Sequence, residues 1–239
     1  MTRRLHAVLC VVLLAGCTAG GAVRRGIRPG PPPSARAIVA ALAEREAATP
    51  GLRLSMTVRL TGTGQDPLLP SPAYLAIDDG GGIRLQVLSA FGMTVLDLAI
   101  HGDGYTLTLP LTHETRDGTI DLATLSDPSV PVADRMIVAL ALMFRPKARA
   151  ETCHGTGPAT VTCTVGSGLT AQVTVDDHLR PIRETYLDAG ATPLLAATFV
   201  DYRGDDARAQ PGSLVIEDAA TGARMAIQVK RVRTAGTAA

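Results

Sequence analysis

From Leu52 onward the chain alternates with a period of two: Leu52, Leu54, Met56, Val58 and Leu60 fall on one side, and Arg53, Ser55, Thr57, Arg59 and Thr61 on the other. Successive side chains of an extended strand point to opposite faces, so this run predicts a long strand buried on one face only. The pattern recurs at 73–77, 83–87, 93–100 and 105–109, separated by turn-formers such as Asp78-Asp79-Gly80-Gly81-Gly82 and His101-Gly102-Asp103-Gly104. Further strands are expected near 148–153, 160–165, 169–175, 182–187, 194–202, 213–216 and 225–232. About a dozen short strands at this spacing point to an antiparallel meander that closes into a sandwich or barrel.

Two segments carry a helical period instead. Ser34 is placed to cap a helix over 35–47, with Ile38, Ala41 and Leu42 on one face and Pro50-Gly51 to stop it. Asp127-Pro128-Ser129-Val130-Pro131 introduces a second helix over 132–144, where Met136, Ile137, Leu140, Met143 and Phe144 recur at helical spacing before Pro146. Such a stripe is ordinary core, or the lipid-facing surface of a cavity protein, and spacing does not separate the two. Arg135 and Arg145, at the ends of this helix, could contact lipid headgroups or solubilise it, and the second reading is preferred.

The chain has 239 residues, no tryptophan and only 3% aromatics, so its core and any pocket must be aliphatic. Walls of that kind suit acyl chains better than bases or sugars. The length supports one domain with a full core. Lysine and arginine nearly balance aspartate and glutamate, 23 against 22, which argues against a nucleic-acid partner.

At the N-terminus, Arg3 and Arg4 precede an apolar run from Leu5 to Leu14 that is too short to span a bilayer but fits a signal-peptide core. Leu14-Ala15-Gly16-Cys17 resembles the lipobox at which bacterial lipoprotein precursors are lipidated and cut. On this reading 1–16 is a leader and Cys17 carries the lipid anchor. Residues 17–34 are a Gly- and Pro-rich tether, 35–233 the folded domain, and 234–239 a frayed tail. Two or more acyl chains anchor a protein stably where one does not. Cys10 leaves with the leader, so Cys153 and Cys163 remain as a pair in an oxidising compartment. With strands at 151–154 and 161–164 folded about Pro158, the two cysteines face each other and are expected to form a disulfide. His154 next to Cys153 points to the opposite face, which disfavours a catalytic cysteine.

No catalytic residue, metal ligand or cofactor is expected. His113-Glu114 has no second histidine four residues on, and Gly166-Ser167-Gly168 is not a nucleophile elbow. Asp176-Asp177-His178 reads as a hairpin turn, and Gly80 to Gly82 precede a strand rather than open a helix.

Helix, meander, apolar helix and closing strands behind a lipobox resemble the LolA/LolB-like superfamily, and within it the LolB outer-membrane receptors. Leu88-Ser-Ala-Phe-Gly-Met-Thr-Val-Leu-Asp-Leu98 is similar to that family's strand, small-residue loop and strand. Val175-Asp-Asp-His-Leu-Arg-Pro-Ile182 resembles the hairpin after its lid helix. The segments 199–203, 210–216 and 225–230 resemble its closing strands. The resemblance implies a mainly β fold with two helices: an incomplete antiparallel barrel around an apolar cavity, with a helical lid carrying Met136, Ile137, Leu140, Met143 and Phe144. It implies a non-enzymatic, lipid-anchored protein of the bacterial envelope, on the periplasmic face of the outer membrane. Such a protein would take acyl chains of lipoproteins or lipids, with a periplasmic LolA-like carrier as partner. Phe91 maps onto a loop residue that inserts into the membrane, the alternative being a turn residue folded into the core. Leu68-Leu69 is a second exposed candidate, the favoured alternative being a loop leucine tucked under the sheet. Against the carrier stands an envelope scaffold whose barrel is filled by its own side chains.

Overall fold

The computed structural model describes residues 32–62, 70–121, 125–127, 129–149, 151–166, 168–206 and 208–234. The leader, Cys10, Cys17, most of the tether, Leu68-Leu69, Ser167 and the end of the tail lie outside the described residues.

Helix α1 (Ala35–Ala47) is followed by β1 (Arg53–Thr61), β2 (Ser71–Ile77), β3 (Ile83–Leu88), β4 (Thr94–His101), β5 (Gly104–Leu109) and β6 (Glu114–Thr119). Then come helix α2 (Val132–Leu142), β7 (Cys153–Gly157), β8 (Thr160–Gly166), β9 (Leu169–Val175), β10 (Pro181–Leu187), β11 (Pro193–Val200), β12 (Ser213–Asp218) and β13 (Arg224–Arg233). All of these strands belong to one antiparallel sheet, in the order β6-β5-β4-β3-β2-β1-β13-β12-β11-β10-β9-β8-β7. The expected sandwich or barrel is therefore a single open sheet. Two meanders meet where the last strand pairs with the first, with Leu60 opposite Met225 and Val58 opposite Ile227. β6 and β7, consecutive in the chain, form the two opposite edges, and the segment between them carries α2.

Neither edge follows the alternating pattern. β6 is Glu-Thr-Arg-Asp-Gly-Thr, with no apolar side chain, and the alternation gave no sign of it. Charged, short edge strands resist pairing with other chains, which is a reason for a strand of this composition at this place. Gly118 stands opposite Tyr105 in the β5–β6 ladder, and a Cβ there would lie 2.5 Å from the tyrosine ring. The ring thus covers the strand that has no side chain to pack. At the other edge the strand expected over 148–153 does not form. β7 starts at Cys153, directly opposite Cys163, and the two are bonded, with Cα atoms 4.1 Å apart.

One face of the sheet carries the core. Leu169, Ala171, Val173 and Val175 share one face of β9. The first two join the cluster around α2, and the last two pack with Ile38 and Leu42 of α1. Both helices therefore lie on the same, inner face. Ser34 caps α1 by accepting from the Ala37 N–H at 3.2 Å.

Candidate functional site

α2 lies against the inner face as an occupant rather than a cover. Met136, Ile137, Val138, Ala139, Leu140, Ala141 and Leu142 are all buried in the main core cluster. A helix that is apolar all round is a buried one. Met143 and Phe144, just past its end, are half-buried and pack against the same cluster. Between α1, the end of α2 and the sheet lies a partly open space of about 60 Å³, lined by the apolar Leu42, Phe144 and Phe199 and by the charged Arg45, Lys147 and Glu184 among others. That volume holds a few waters and no acyl chain.

Polar contacts fix α2 at both ends, and most of them escaped the sequence reading. Arg135, read from sequence as solubilising, is only 3% exposed and faces Asp218 at the end of β12, Nε to Oδ2 3.3 Å. Asp134 takes an ion pair from Arg116 of β6 at 2.5 Å. Arg145 donates to the Gly102 carbonyl at 3.1 Å and pairs with Asp103 in the β4–β5 turn. The Tyr186 hydroxyl, fully buried, donates to the Leu142 carbonyl at 3.0 Å. Burial raises its pKa well above the ordinary tyrosine value.

A second buried ion pair joins Lys147 to Glu184 at 2.8 Å. Beside it, Glu46 of α1 accepts the backbone N–H groups of Lys147 and Ala148 at 3.0 and 3.1 Å. Burial pushes the Glu46 carboxyl up, opposed by those two amides and by the Lys147 charge. Glu184 faces inward because a register shift between Pro181 and Arg183 turns Ile182 and Arg183 outward and puts Glu184 and Tyr186 on the core side. Nothing in a run beginning Pro-Ile-Arg-Glu announces that shift.

Phe91 does not fold back into the core. Ser89 and Met93 close the β3–β4 turn with a 2.8 Å backbone bond, the Ser89 hydroxyl accepts from the Phe91 and Met93 amides, and Gly92 takes φ 80°. This leaves Phe91 at the tip and 89% exposed. Met93 is 53% exposed, and Leu111, in the neighbouring β5–β6 turn, 62%. Both turns lie at the same end of the sheet as the β12–β13 turn, where Asp218 holds the first turn of α2.

The remaining candidates are structural. Asp176 accepts from the His178 and Arg180 amides, both at 2.9 Å, and organises the β9–β10 turn. Among the described residues no three His, Cys, Asp or Glu side chains converge on one point.

No protein-family profile matches this chain, and no curated protein sequence does. Solved structures do match. One is a domain from Vibrio parahaemolyticus described as an outer membrane lipoprotein-sorting protein, with TM-score 0.54 and 15% identity over 84% of this chain and 93% of that one. Another is a LolA superfamily protein from Nitrosomonas europaea, with TM-score 0.54 and 8% identity over 86% and 96% of the two chains. The fold is LolA-like. A protein of the DUF1329 family from Desulfovibrio piger matches at TM-score 0.53 and 13% identity, over 88% and 96%. At these identities the likeness is one of LolA-like architecture, covering nearly the whole of each partner.

Proposed function

We propose that this chain is a lipid-anchored envelope protein that takes up the acyl chains of lipoproteins or lipids in the space α2 now fills, without catalysing a reaction. The observation that carries the reading is the placement of α2: an apolar helix, separate from the sheet in sequence, occupying the inner face of a LolA-like sheet. The resemblance to lipoprotein receptors and carriers supports the same reading, as does the description of one structural neighbour as a lipoprotein-sorting protein. Cys17 holds the chain at the outer membrane, Phe91 with Met93 and Leu111 forms the rim that enters the bilayer, and a LolA-like carrier delivers the cargo.

The energies are compatible with exchange. Withdrawing Met136, Ile137, Val138, Leu140 and Leu142 from the core costs about 1.5–3 kcal/mol each, about 8–15 in all. One chain of about sixteen carbons returns about 12 kcal/mol at about 0.8 per CH₂. In apolar burial alone a single chain roughly balances the helix and two exceed it, and the polar ties at Arg135, Asp134, Arg145 and Tyr186 add to the cost of withdrawing α2. Affinity is therefore expected to rise steeply from a fatty acid to a diacyl lipid.

The small space beside α2, about 60 Å³, favours a second reading, a scaffold whose interior is permanently filled. Native mass spectrometry of the full chain with Cys17→Ala, purified without detergent and then offered mono- and diacyl lipids, separates the two. Copurified or added diacyl lipid bound one to one supports the carrier. A protein that stays empty with both, and binds no fatty-acid probe, sinks it.

A further inference from the structure

We infer that the outer face of the sheet, where β13, β1, β2 and β3 run side by side, is a binding site for a phosphate group. In the ladder, Arg233 stands directly opposite Arg53, Arg53 opposite Ala76, and Ala76 opposite Arg84. Arg231 stands opposite Ser55, which in turn faces Tyr74. The register shift between Ser55 and Met56 brings Lys230 and Arg231 out on this side together. The result is an open trough of about 580 Å³ with Ala76 as its low floor, whose lining includes five cations, Arg53, Arg84, Lys230, Arg231 and Arg233, and no carboxylate. The chain as a whole is close to neutral, at +1, so this is a local concentration of charge.

Two of the five cations have partners: Arg84 is held by Asp97 at 2.6 Å, and Lys230 meets Gln228. Arg53, Arg231 and Arg233 have no carboxylate partner among the described residues. Like charges directly opposite one another on adjacent strands repel. An anion seated between them reverses the sign of that interaction. Three guanidinium forks meeting at one place match the several oxygens of a phosphate better than the two of a carboxylate. Tyr74, half-exposed, and Gln86 add neutral donors at the side of the trough. All four strands are paired on both sides, so a peptide has no edge here on which to add a strand. A wider hollow of about 880 Å³, which Arg53, Arg84 and Arg233 also line, continues toward the β2–β3 turn and brings in the carboxylates of Asp78, Asp79 and Asp97. The anion is accordingly placed on the β13 side, where Arg231 and Lys230 stand beside Arg53 and Arg233 and line only the trough without carboxylates. This site faces away from α2 and stands independently of the acyl-binding reading.

The test uses the full chain with Cys17→Ala and two ligands: inorganic phosphate, followed by calorimetry and thermal shift, and vesicles of phosphatidylglycerol or phosphatidylcholine, followed by cosedimentation. Arg53→Gln/Arg233→Gln is compared with Arg36→Gln/Arg59→Gln, which removes the same charge elsewhere. Removing the Arg53–Arg233 repulsion leaves folding intact, so loss of binding is not loss of structure. The expected result is that the trough variant binds about tenfold or more weakly and the control as wild type. Phosphate binding without vesicle binding assigns the site to a soluble phosphate, and phosphatidylglycerol-selective binding to a lipid headgroup. Binding equal in both variants, or no binding of either ligand by wild type, overturns the inference.

Discussion

Tyr186 ties β10 to the end of α2 through a single hydrogen bond, from its hydroxyl to the Leu142 carbonyl. Tyr186→Phe removes that bond, leaving the Leu142 carbonyl to the Arg145 amide alone at 3.2 Å, and is expected to lower stability by about 0.5–1.5 kcal/mol in chemical denaturation. If α2 yields to lipid, the same variant binds acyl chains more tightly. Phe91 has the opposite character: it is exposed, so Phe91→Glu is expected to leave the melting temperature unchanged while abolishing lipid delivery to membranes in a transfer assay. Unchanged transfer would remove Phe91 from the mechanism. Arg84 and Gln86 hydrogen-bond the Asp97 carboxylate, and the Arg84 bond is the main reason its pKa falls below the ordinary 3.8. A carboxyl held lower in the folded chain stabilises above the unfolded value, and the contribution is lost as pH falls through the folded value. The difference in melting temperature between wild type and Asp97→Asn is thus expected to shrink below about pH 3.8 and to hold steady above about pH 5. At this scale apolar positions were legible, because burial follows the strand and helix periods. Arg135, Glu184 and Lys147 were not, because a buried charge is defined by a partner distant in sequence, Asp218 for Arg135 and each other for the second pair.

Among the elements, α1 and the long central strands were readable from capping and alternation, since each carries its own signal. β6 was not, because an edge strand of Glu, Thr, Arg, Asp and Gly has no buried face to generate one. β7 was misplaced for a related reason: its two glycines and exposed positions leave only Cys153 to mark it. The Cys153–Cys163 bond closes a loop of sequence separation 10 at this otherwise weak edge. Replacing both cysteines by alanine is expected to lower stability by about 2–3 kcal/mol, measured by urea unfolding, with acyl binding retained. α2 was visible as an apolar helix, but its period could not say whether it covers a cavity or fills one. The answer depends on the volume enclosed by the sheet, which is a property of the assembled strands.

For the whole molecule, alternation along the chain foretold a mainly β, antiparallel fold with two helices. It did not foretell a single open sheet whose edges are consecutive strands, since pairing order depends on which strand ends up beside which. That topology gives the molecule two separate faces: an inner one whose apolar lining is occupied by α2, and an outer one with a cluster of arginines. The central claim is that an acyl chain takes the place of α2, and hydrogen exchange across Val132–Leu142 tests it most directly. On adding saturating diacyl lipid to the Cys17→Ala protein, the α2 amides are expected to exchange faster while those of β1 and β13 stay protected. Lipid bound with α2 fully protected, or no lipid bound at all, would contradict the claim.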